Sequence, residues 1–235
     1  MTIAGGPPAR GLRARVRAEM IDEITATARR HLASEGANLS LRAVARDLGM
    51  VSSAVYRYFP SRDALLTALI VEAYDALGEA TERAEAAVAR RDLRGRWLAS
   101  CHGVRDWARA HPSEYALIYG SPVPGYTAPP DTVGPASRTP AVLGAILRDA
   151  VATGGVPAAR GERLPKALRA DLKRMGGDPR FSGIPEPVLA RGMTGWIHLF
   201  GTVSFELFGR LDPLIGDGDL FFDYQIRTMA TQIGL

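Results

Sequence analysis

The chain has 235 residues, of which 46% are hydrophobic, and a formal net charge of +4. No apolar run approaches the roughly 18 residues of a membrane-spanning helix, which argues against an integral membrane protein. The single cysteine, Cys101, excludes an internal disulfide framework and a zinc site built from cysteines. Residues 1 to 17 lack the apolar stretch of a secretory signal, so we expect a cytoplasmic protein.

The first residues of the chain are rich in glycine and proline, with Gly5-Gly6-Pro7-Pro8 at their centre. Such a composition does not favour a helix, and we predict a disordered arm over residues 1 to 15. Apolar residues then recur every four positions, which predicts a first helix that ends near Gly36. The residues of this stripe are Val16, Met20, Ile24, Ala28 and Leu32.

Residues 40 to 62 predict two short helices joined by a tight turn. Ser40 suits a helix N-cap, because its hydroxyl can accept from the free amides of the next turn. Gly49 supplies the positive φ at which a helix ends. The second helix is predicted from Ser52 to Phe59, with Pro60 closing it. The apolar positions of both helices can pack on each other, and these are Leu41, Val44, Ala45, Leu48, Val55 and Phe59.

The outer face of the second helix carries small and hydrogen-bonding residues, as a helix in the DNA major groove requires. These residues are Ser52, Ser53, Tyr56 and Arg57, with Tyr58 at the edge. Residues 1 to 62 contain ten arginines and five acidic residues, whereas the rest of the chain is slightly acidic. Positive charge localised beside such a motif indicates phosphate binding, so double-stranded DNA is the expected partner.

Two arginines are candidates for base recognition. Arg42 lies two residues past the Ser40 cap, and Arg57 lies on the outer face of the second helix. Arginine recognises guanine by bidentate hydrogen bonds to O6 and N7 in the major groove.

The segment from Leu48 to Leu66 resembles the N-terminal domain of the tetracycline-repressor (TetR) family. The matching residues are Leu48-Gly49, Ala54-Val55-Tyr56-Arg57-Tyr58-Phe59 and Pro60-Ser61-Arg62-Asp63-Ala64-Leu65-Leu66. The ungapped match begins near Val16. Pro60 departs from the pattern, since a basic or polar residue is frequent there. Arg57 departs as well, since an aromatic or another polar residue is common, and this bears on which DNA sequence is bound.

The resemblance implies a bacterial, all-α regulator with two domains. Residues 16 to 62 would be a three-helix DNA-binding domain with a helix-turn-helix, and residues 63 to 235 a ligand-binding and dimerisation domain. Ser40, Tyr56, Tyr58 and Arg62 lie where the family contacts phosphates. A homodimer would occupy a DNA operator as a repressor and be released by a small hydrophobic or aromatic effector. The long helix after Arg62 joins the domains, so a shift of its far end would change the spacing of the recognition helices.

The rest of the chain predicts further helices and no strand of period two. A long loop with five prolines and three glycines spans residues 120 to 139. The predicted helices begin after Ser61 and cover residues 93 to 110, 112 to 119, 139 to 153, 165 to 175, 187 to 210 and 217 to 233.

The last two predicted helices carry apolar residues all round their axes. A helix of this kind must be buried on every side, which favours a dimer interface over a purely internal role. We expect the interface around Phe200, Phe208, Phe221 and Phe222. The string Trp196-Ile-His-Leu-Phe-Gly201 also resembles the Trp/His/Gly segment of one C-terminal subclass of the family.

Aromatic residues on the predicted helices are candidates for the wall of a ligand cavity. A cavity of this type presents apolar area with a few orienting polar groups. We predict a flat or greasy effector, with the 120–139 loop as a lip over the site. The candidate ligand residues are Trp97, His102, Trp107, Tyr115, Tyr119 and Trp196.

No catalytic motif, cofactor fingerprint or metal-ligand spacing is found. The expectation is therefore a protein that is not an enzyme and needs no metal or cofactor. Two alternatives remain open from the residues alone. One is an enzyme that uses the helical pocket, which turnover of a bound compound would reveal. The other is an adaptor whose helix-turn-helix binds protein, which a lack of salt-dependent DNA binding would favour.

Overall fold

The computed structural model describes residues 9–35, 39–156 and 163–235. Within these ranges the chain is all-helical, without a β-strand. No helix among them is both long and apolar enough to cross a bilayer. The helices are α1 (Ala9–Glu35), α2 (Leu41–Asp47), α3 (Ser52–Val55), α4 (Arg62–Ala86), α5 (Leu93–Ala110), α6 (Pro112–Tyr119), α7 (Val133–Ala136), α8 (Arg138–Ala152), α9 (Lys166–Met175), α10 (Glu186–Leu207) and α11 (Gly218–Ile233), with a 3-10 turn at Pro130–Thr132.

The first helix begins earlier than the sequence pattern predicts. It starts at Ala9 rather than near Val16, so the arm predicted over residues 1 to 15 is wrong for residues 9 to 15. Residues 1 to 8 lie outside the described part of the chain. Arginine, alanine and leucine dominate the added turns and are strong helix formers, so one glycine, Gly11, does not interrupt them. Val16 is half exposed, because these turns extend beyond the packed domain.

Helices α1 to α3 and the start of α4 enclose a small hydrophobic cluster, called here the DNA-domain cluster. Ser40 caps α2, with its Oγ accepting from the amide of Ala43 at 3.5 Å, and Gly49 adopts φ +66 at the turn. Most of the predicted inward residues of α1, α2 and α3 are buried with residues of α4, whereas Met20 and Leu48 are partly buried against the cluster and Val16 is exposed. The cluster contains Ile24, Ala28, Leu39, Leu41, Val44, Ala45, Val55, Phe59, Leu65, Leu66, Leu69 and Val123.

The recognition helix is shorter than predicted. Regular α-helix covers Ser52–Val55, and single turns then continue to Phe59. The amides of Tyr58 and Phe59 both donate to the carbonyl of Val55, at 2.9 and 3.0 Å. Pro60 has no amide hydrogen to extend this pattern, and Ser61 starts α4 as an N-cap with its Oγ accepting from Ala64.

Helices α4 to α11 form a second unit around a larger core. Helix α4 packs along α5, and α10 packs against α11. The core cluster includes Leu77, Trp97, Val104, Leu199 and Ile226, all at or below 1% exposure. Helices α10 and α11 end within three residues of the predicted bounds, and Asp217 caps α11 through the amide of Leu220 at 2.9 Å.

Candidate DNA-binding face and effector cavity

The segment from Ser52 to Phe59 separates its side chains as a DNA-reading helix requires. Val55 and Phe59 are buried in the DNA-domain cluster. Ser53, Tyr56 and Arg57 are exposed, whereas Ser52 and Tyr58 are half-buried. Arg42, on α2, is exposed as well. The hydrogen-bonding side chains are therefore exposed, and the buried apolar residues beneath them hold the segment against the domain.

Arg62 has a structural contact in addition to its predicted role at phosphate. Its Nε donates to the carbonyl of Leu39 at 3.2 Å, directly before the Ser40 cap, and its Nη1 lies 3.7 Å from Asp63. The side chain is still one third exposed. Arg62 thus ties the start of α2 to the start of α4, and it lies at the N-terminal end of α4, where free amides attract phosphate.

Two contacts of α1 at this face are absent from the sequence prediction. The guanidinium of Arg17 lies 5.2 Å from the centre of the Tyr58 ring, and Arg13 and Arg15 are exposed on the same extension of α1. The buried His31 contacts Asp47 of α2, with Nε2 and Oδ2 2.7 Å apart. His31 follows Ile24 and Ala28 at helical spacing, which is the signal that could have placed it inward.

A cavity of about 590 Å³ lies in the second unit, between α4, α6, α8, α10 and the segment from Pro122 to Ser137. This volume is typical of sites for small organic molecules. The wall is mostly apolar. Its lining residues include Ile70, Leu117, Ile118, Val123, Leu143, Leu147, Met175, Phe181, Leu189, Met193 and Trp196, with the tyrosines Tyr74 and Tyr126.

Among the residues that the structure describes, one charged side chain lines the cavity, and its charge is already offset. The Nε of Arg180 donates to Asp178 Oδ1 at 2.8 Å, and Nη2 donates to Oδ2. Hydrogen bonds from Arg180 lower the pKa of Asp178 to about 2, so this pair is fully ionised near neutral pH. The cavity therefore presents an apolar wall with an internally compensated ion pair at its edge.

Of the six predicted ligand residues, only Trp196 lines this cavity. Trp97, Trp107 and Tyr115 are instead core residues, and Trp97 and Tyr115 are completely buried. These three therefore do not line this cavity, because helical spacing identifies a buried face without revealing whether that face meets side chains or empty volume.

The other two predicted ligand residues also lie elsewhere. Tyr119 stacks on Phe200, with ring centres 4.1 Å apart, and burial raises the pKa of its hydroxyl. His102 is near the surface, 3.7 Å from Asp223 and edge-on to Phe222. Neither is among the residues that line the cavity.

The loop prediction agrees with the structure in position but not in detail. Eight residues between Pro122 and Ser137 line the cavity. The segment is not without its own structure, since it contains the Pro130–Thr132 turn and α7.

Helices α10 and α11 expose large apolar side chains on one side each. Ile197 and Phe205 are exposed on α10, Phe208 directly after it, and Leu220 and Tyr224 on α11, with Ile197 at 60% and Leu220 at 70%. Phe200 and Phe222 are buried within the subunit, so their predicted place at the dimer interface is wrong. They occupy the inner faces of helices whose outer faces carry the exposed residues.

Comparison with known proteins gives matches over both units. Residues 24–69 match the family described as bacterial regulatory proteins, tetR family, and residues 97–229 match the tetracyclin repressor-like C-terminal domain. The chain is 39% identical over 226 residues to HTH-type transcriptional regulators of Mycobacterium tuberculosis (Rv1816) and Mycobacterium bovis (Mb1846), with 94% of each chain covered.

Solved structures share the fold. A crystal structure of the regulatory protein SCO4313 has a TM-score of 0.74 and 32% identity, and covers 92% of this chain and 97% of that one. A protein of unknown function from Rhodococcus sp. RHA1 has a TM-score of 0.68 at 22% identity, covering 92% of this chain and 95% of its own. The chain therefore belongs to the TetR family of transcriptional regulators.

Proposed function

We propose that this regulator is a homodimeric repressor that leaves its operator when a small, uncharged, apolar molecule enters the cavity described above. The observation that carries the proposal is the course of α4. Its first turn lies in the DNA-binding domain beside Ser61 and Arg62, and further along it Ile70 and Tyr74 line the cavity. One continuous helix thus contributes to both the DNA-binding domain and the cavity wall.

At the DNA, we assign base recognition to Arg42 and Arg57, with Ser52 and Ser53 close to the groove floor. Ser40, Tyr56, Tyr58 and Arg62 are assigned to phosphates. These assignments are supported by the exposure of the hydrogen-bonding side chains beside buried apolar residues. Arg17, stacked on Tyr58, adds positive charge at the edge of the same face.

For the dimer, we assign the interface to the exposed sides of α10 and α11. The exposed apolar residues on one side of α10 and directly after it, Ile197, Phe205 and Phe208, form a stripe whose exposure to water is unfavourable. A two-fold dimer would cover this stripe and present two recognition segments to operator half-sites about 34–36 Å apart.

For the effector, the wall chemistry favours an uncharged apolar compound. A charged ligand would lose its hydration without gaining a free counter-charge, since Arg180 is already paired with Asp178. A flat or flexible hydrophobic molecule fits the apolar wall, and Met175 and Met193 can adapt to its shape.

The test begins with selection of a binding sequence from a pool of random duplexes. Fluorescence anisotropy then measures binding of the selected duplex, and mass spectrometry of an organic extract identifies compounds that co-purify. We expect salt-dependent binding to a two-fold symmetric sequence, and release by an uncharged apolar compound. Binding that is equal for every duplex, or release only by charged metabolites, would contradict the proposal.

A further inference from the structure

One residue of the segment from Pro122 to Ser137, which lines the cavity, is inserted in the DNA-domain cluster. Between residues 121 and 128 only Val123 is buried, with 9% of its surface exposed. Its place is not in the core of the second unit but in the cluster that contains Ile24, Val55 and Leu69. Leu117 and Tyr126 pack against the same cluster. A segment that follows α6 therefore completes the core of the DNA-binding domain.

The same residues face the cavity. Val123, Tyr126 and Leu117 all line it, together with Ile70 of α4. This part of the wall is thus one residue thick, with ligand space on one side and the DNA-domain cluster on the other. A molecule that fills the cavity beside Tyr126 would contact the DNA-binding domain without an intervening helix layer.

Local sequence explains how Val123 is presented. The amide of Tyr126 donates to the carbonyl of Val123 at 3.2 Å, which closes a four-residue turn. Pro124 is the second residue and Gly125, with φ +75, the third, as a type II turn requires. We call residues 123 to 126 the 123–126 turn. It fixes Val123 and Tyr126 at adjacent positions, so one cannot move far without the other.

A chain of hydroxyl groups ties this turn to the beginning of α4. The Thr67 Oγ1 donates its only hydrogen to the carbonyl of Asp63 at 2.8 Å. In the 2.9 Å contact between Thr67 Oγ1 and the Tyr126 hydroxyl, the tyrosine must therefore be the donor. Asp63 lies in the first turn of α4, next to Ser61 and Arg62. Through Thr67, the 123–126 turn is thus hydrogen-bonded to the first helical turn of α4. That helical turn carries Arg62, which we assign to a DNA phosphate.

The far half of α4 is held firmly by comparison. Arg138 of α8 binds Asp75 at 2.9 Å and Glu82 at 2.7 Å, and α5 packs along the same helix. An expanding cavity meets less resistance from the exposed 122–137 segment than from these paired helices, because few buried contacts retain that segment.

We propose that the 123–126 turn transmits occupation of the cavity to the DNA-binding domain. In the empty state, Val123 completes the DNA-domain cluster and Tyr126 steadies the first turn of α4. A ligand beside Tyr126 displaces the turn, withdraws Val123 from the cluster and breaks the bond to Thr67. The recognition segment and Arg62 then lose their fixed positions. This inference rests on the proposed function, and it adds a surface turn to α4 as a second connection between the cavity and the DNA-binding domain.

The test removes the hydrogen bond between Tyr126 and Thr67 by substituting either residue. Tyr126→Phe deletes the donor, and Thr67→Val deletes the acceptor together with its bond to Asp63, without changing a cavity-lining residue. Thr81→Val is the matched control, since it removes a hydroxyl of α4 that donates to the carbonyl four residues earlier, as that of Thr67 does, but lies outside the cavity wall. Nile red, an uncharged apolar dye, serves as the probe for the cavity, and release of a labelled selected duplex is the readout.

We expect Tyr126→Phe and Thr67→Val each to lower the dye concentration for half-release by about two- to tenfold, the effect of one hydrogen bond. The double variant should release no more readily than Thr67→Val alone, because both substitutions remove the bond between Thr67 and Tyr126. Thr81→Val should release as the unsubstituted protein does. Release of both single variants at the unsubstituted concentration would overturn the inference.

Hydrogen exchange provides a second measurement, which requires neither DNA nor dye. Amides in the first turn of α4 should exchange faster in Tyr126→Phe and Thr67→Val than in Thr81→Val. Equal exchange in all three would also overturn the proposed role of the turn. If the protein binds no duplex, or the dye never releases one, the proposed function fails, and exchange alone then decides whether the turn steadies α4.

Discussion

The two units of this regulator differ in where the candidate functional surface lies relative to the hydrophobic core. In the DNA-binding domain the cluster around Ile24, Val44 and Val55 is completely buried, and the recognition groups stand outside it. In the second unit the core surrounds a cavity of about 590 Å³, and the candidate functional surface is the inside of that cavity. Substitutions at the DNA face should therefore change binding without changing stability, whereas substitutions in the second unit can change both.

The dimer interface gives the largest expected effect. Ile197→Glu places a carboxylate in the exposed apolar stripe of α10, where a partner subunit would bury it unpaired. We expect a monomer in sedimentation and a loss of about 10²- to 10⁴-fold in affinity for a two-half-site duplex, because the half-sites are no longer bound together. Leu168→Glu, at an exposed apolar residue of α9, is the control and should remain dimeric. A dimeric Ile197→Glu protein would remove α10 from the interface.

The second prediction separates core from cavity in the effector unit. Trp97 is completely buried among core residues, so Trp97→Ala should lower the free energy of unfolding by about 3–5 kcal/mol. Trp196 is only partly buried and lines the cavity, so Trp196→Ala should cost less stability and change dye binding instead. Denaturant unfolding and dye titration measure the two effects. If Trp97→Ala altered dye affinity while stability stayed unchanged, the division between core and cavity would be wrong.

The same contrast explains what could be predicted from the sequence. In the DNA-binding domain, the separation of Val55 from Tyr56 and Arg57 follows from helical periodicity, and Ser40 and Gly49 mark the ends of α2 by their local chemistry. These features are encoded within a few residues, and the structure agrees with them. The glycines and prolines of residues 5 to 8 predict too late a start for α1, because strong helix formers follow them directly from Ala9.

In the second unit the helices were predicted closely, but the site was not. Trp97 and Trp107 have the same spacing whether they face a ligand or another helix, so their burial in the core is decided by packing between distant segments. The place of Val123 in the DNA-domain cluster is equally non-local, since it joins a turn to helices more than fifty residues earlier in the chain. The Val-Pro-Gly-Tyr string predicts a turn, but not the surface on which the turn docks.

The third prediction concerns base recognition at the outer face. Arg57→Ala should lose about 1–3 kcal/mol of binding free energy on the selected duplex and clearly less on random DNA, because a bidentate bond to guanine is specific to one base. Thermal unfolding should be unchanged, since Arg57 is exposed. Arg83→Ala, at an exposed arginine near the far end of α4, is the matched control. Equal losses on both duplexes would assign Arg57 to a phosphate instead.

The smallest expected effect is at Arg62, which lies where the DNA-binding domain joins the second unit. A cation at a phosphate contributes about 0.9 to the slope of log affinity against log salt concentration, so Arg62→Ala should reduce that slope by nearly one unit on every duplex. Arg62→Lys keeps the charge but loses the guanidinium that donates to the Leu39 carbonyl. If phosphate binding dominates, the lysine variant keeps the slope of the original protein. If Arg62 acts only by holding α2 against α4, both variants keep that slope and lose affinity together, and the phosphate assignment then fails.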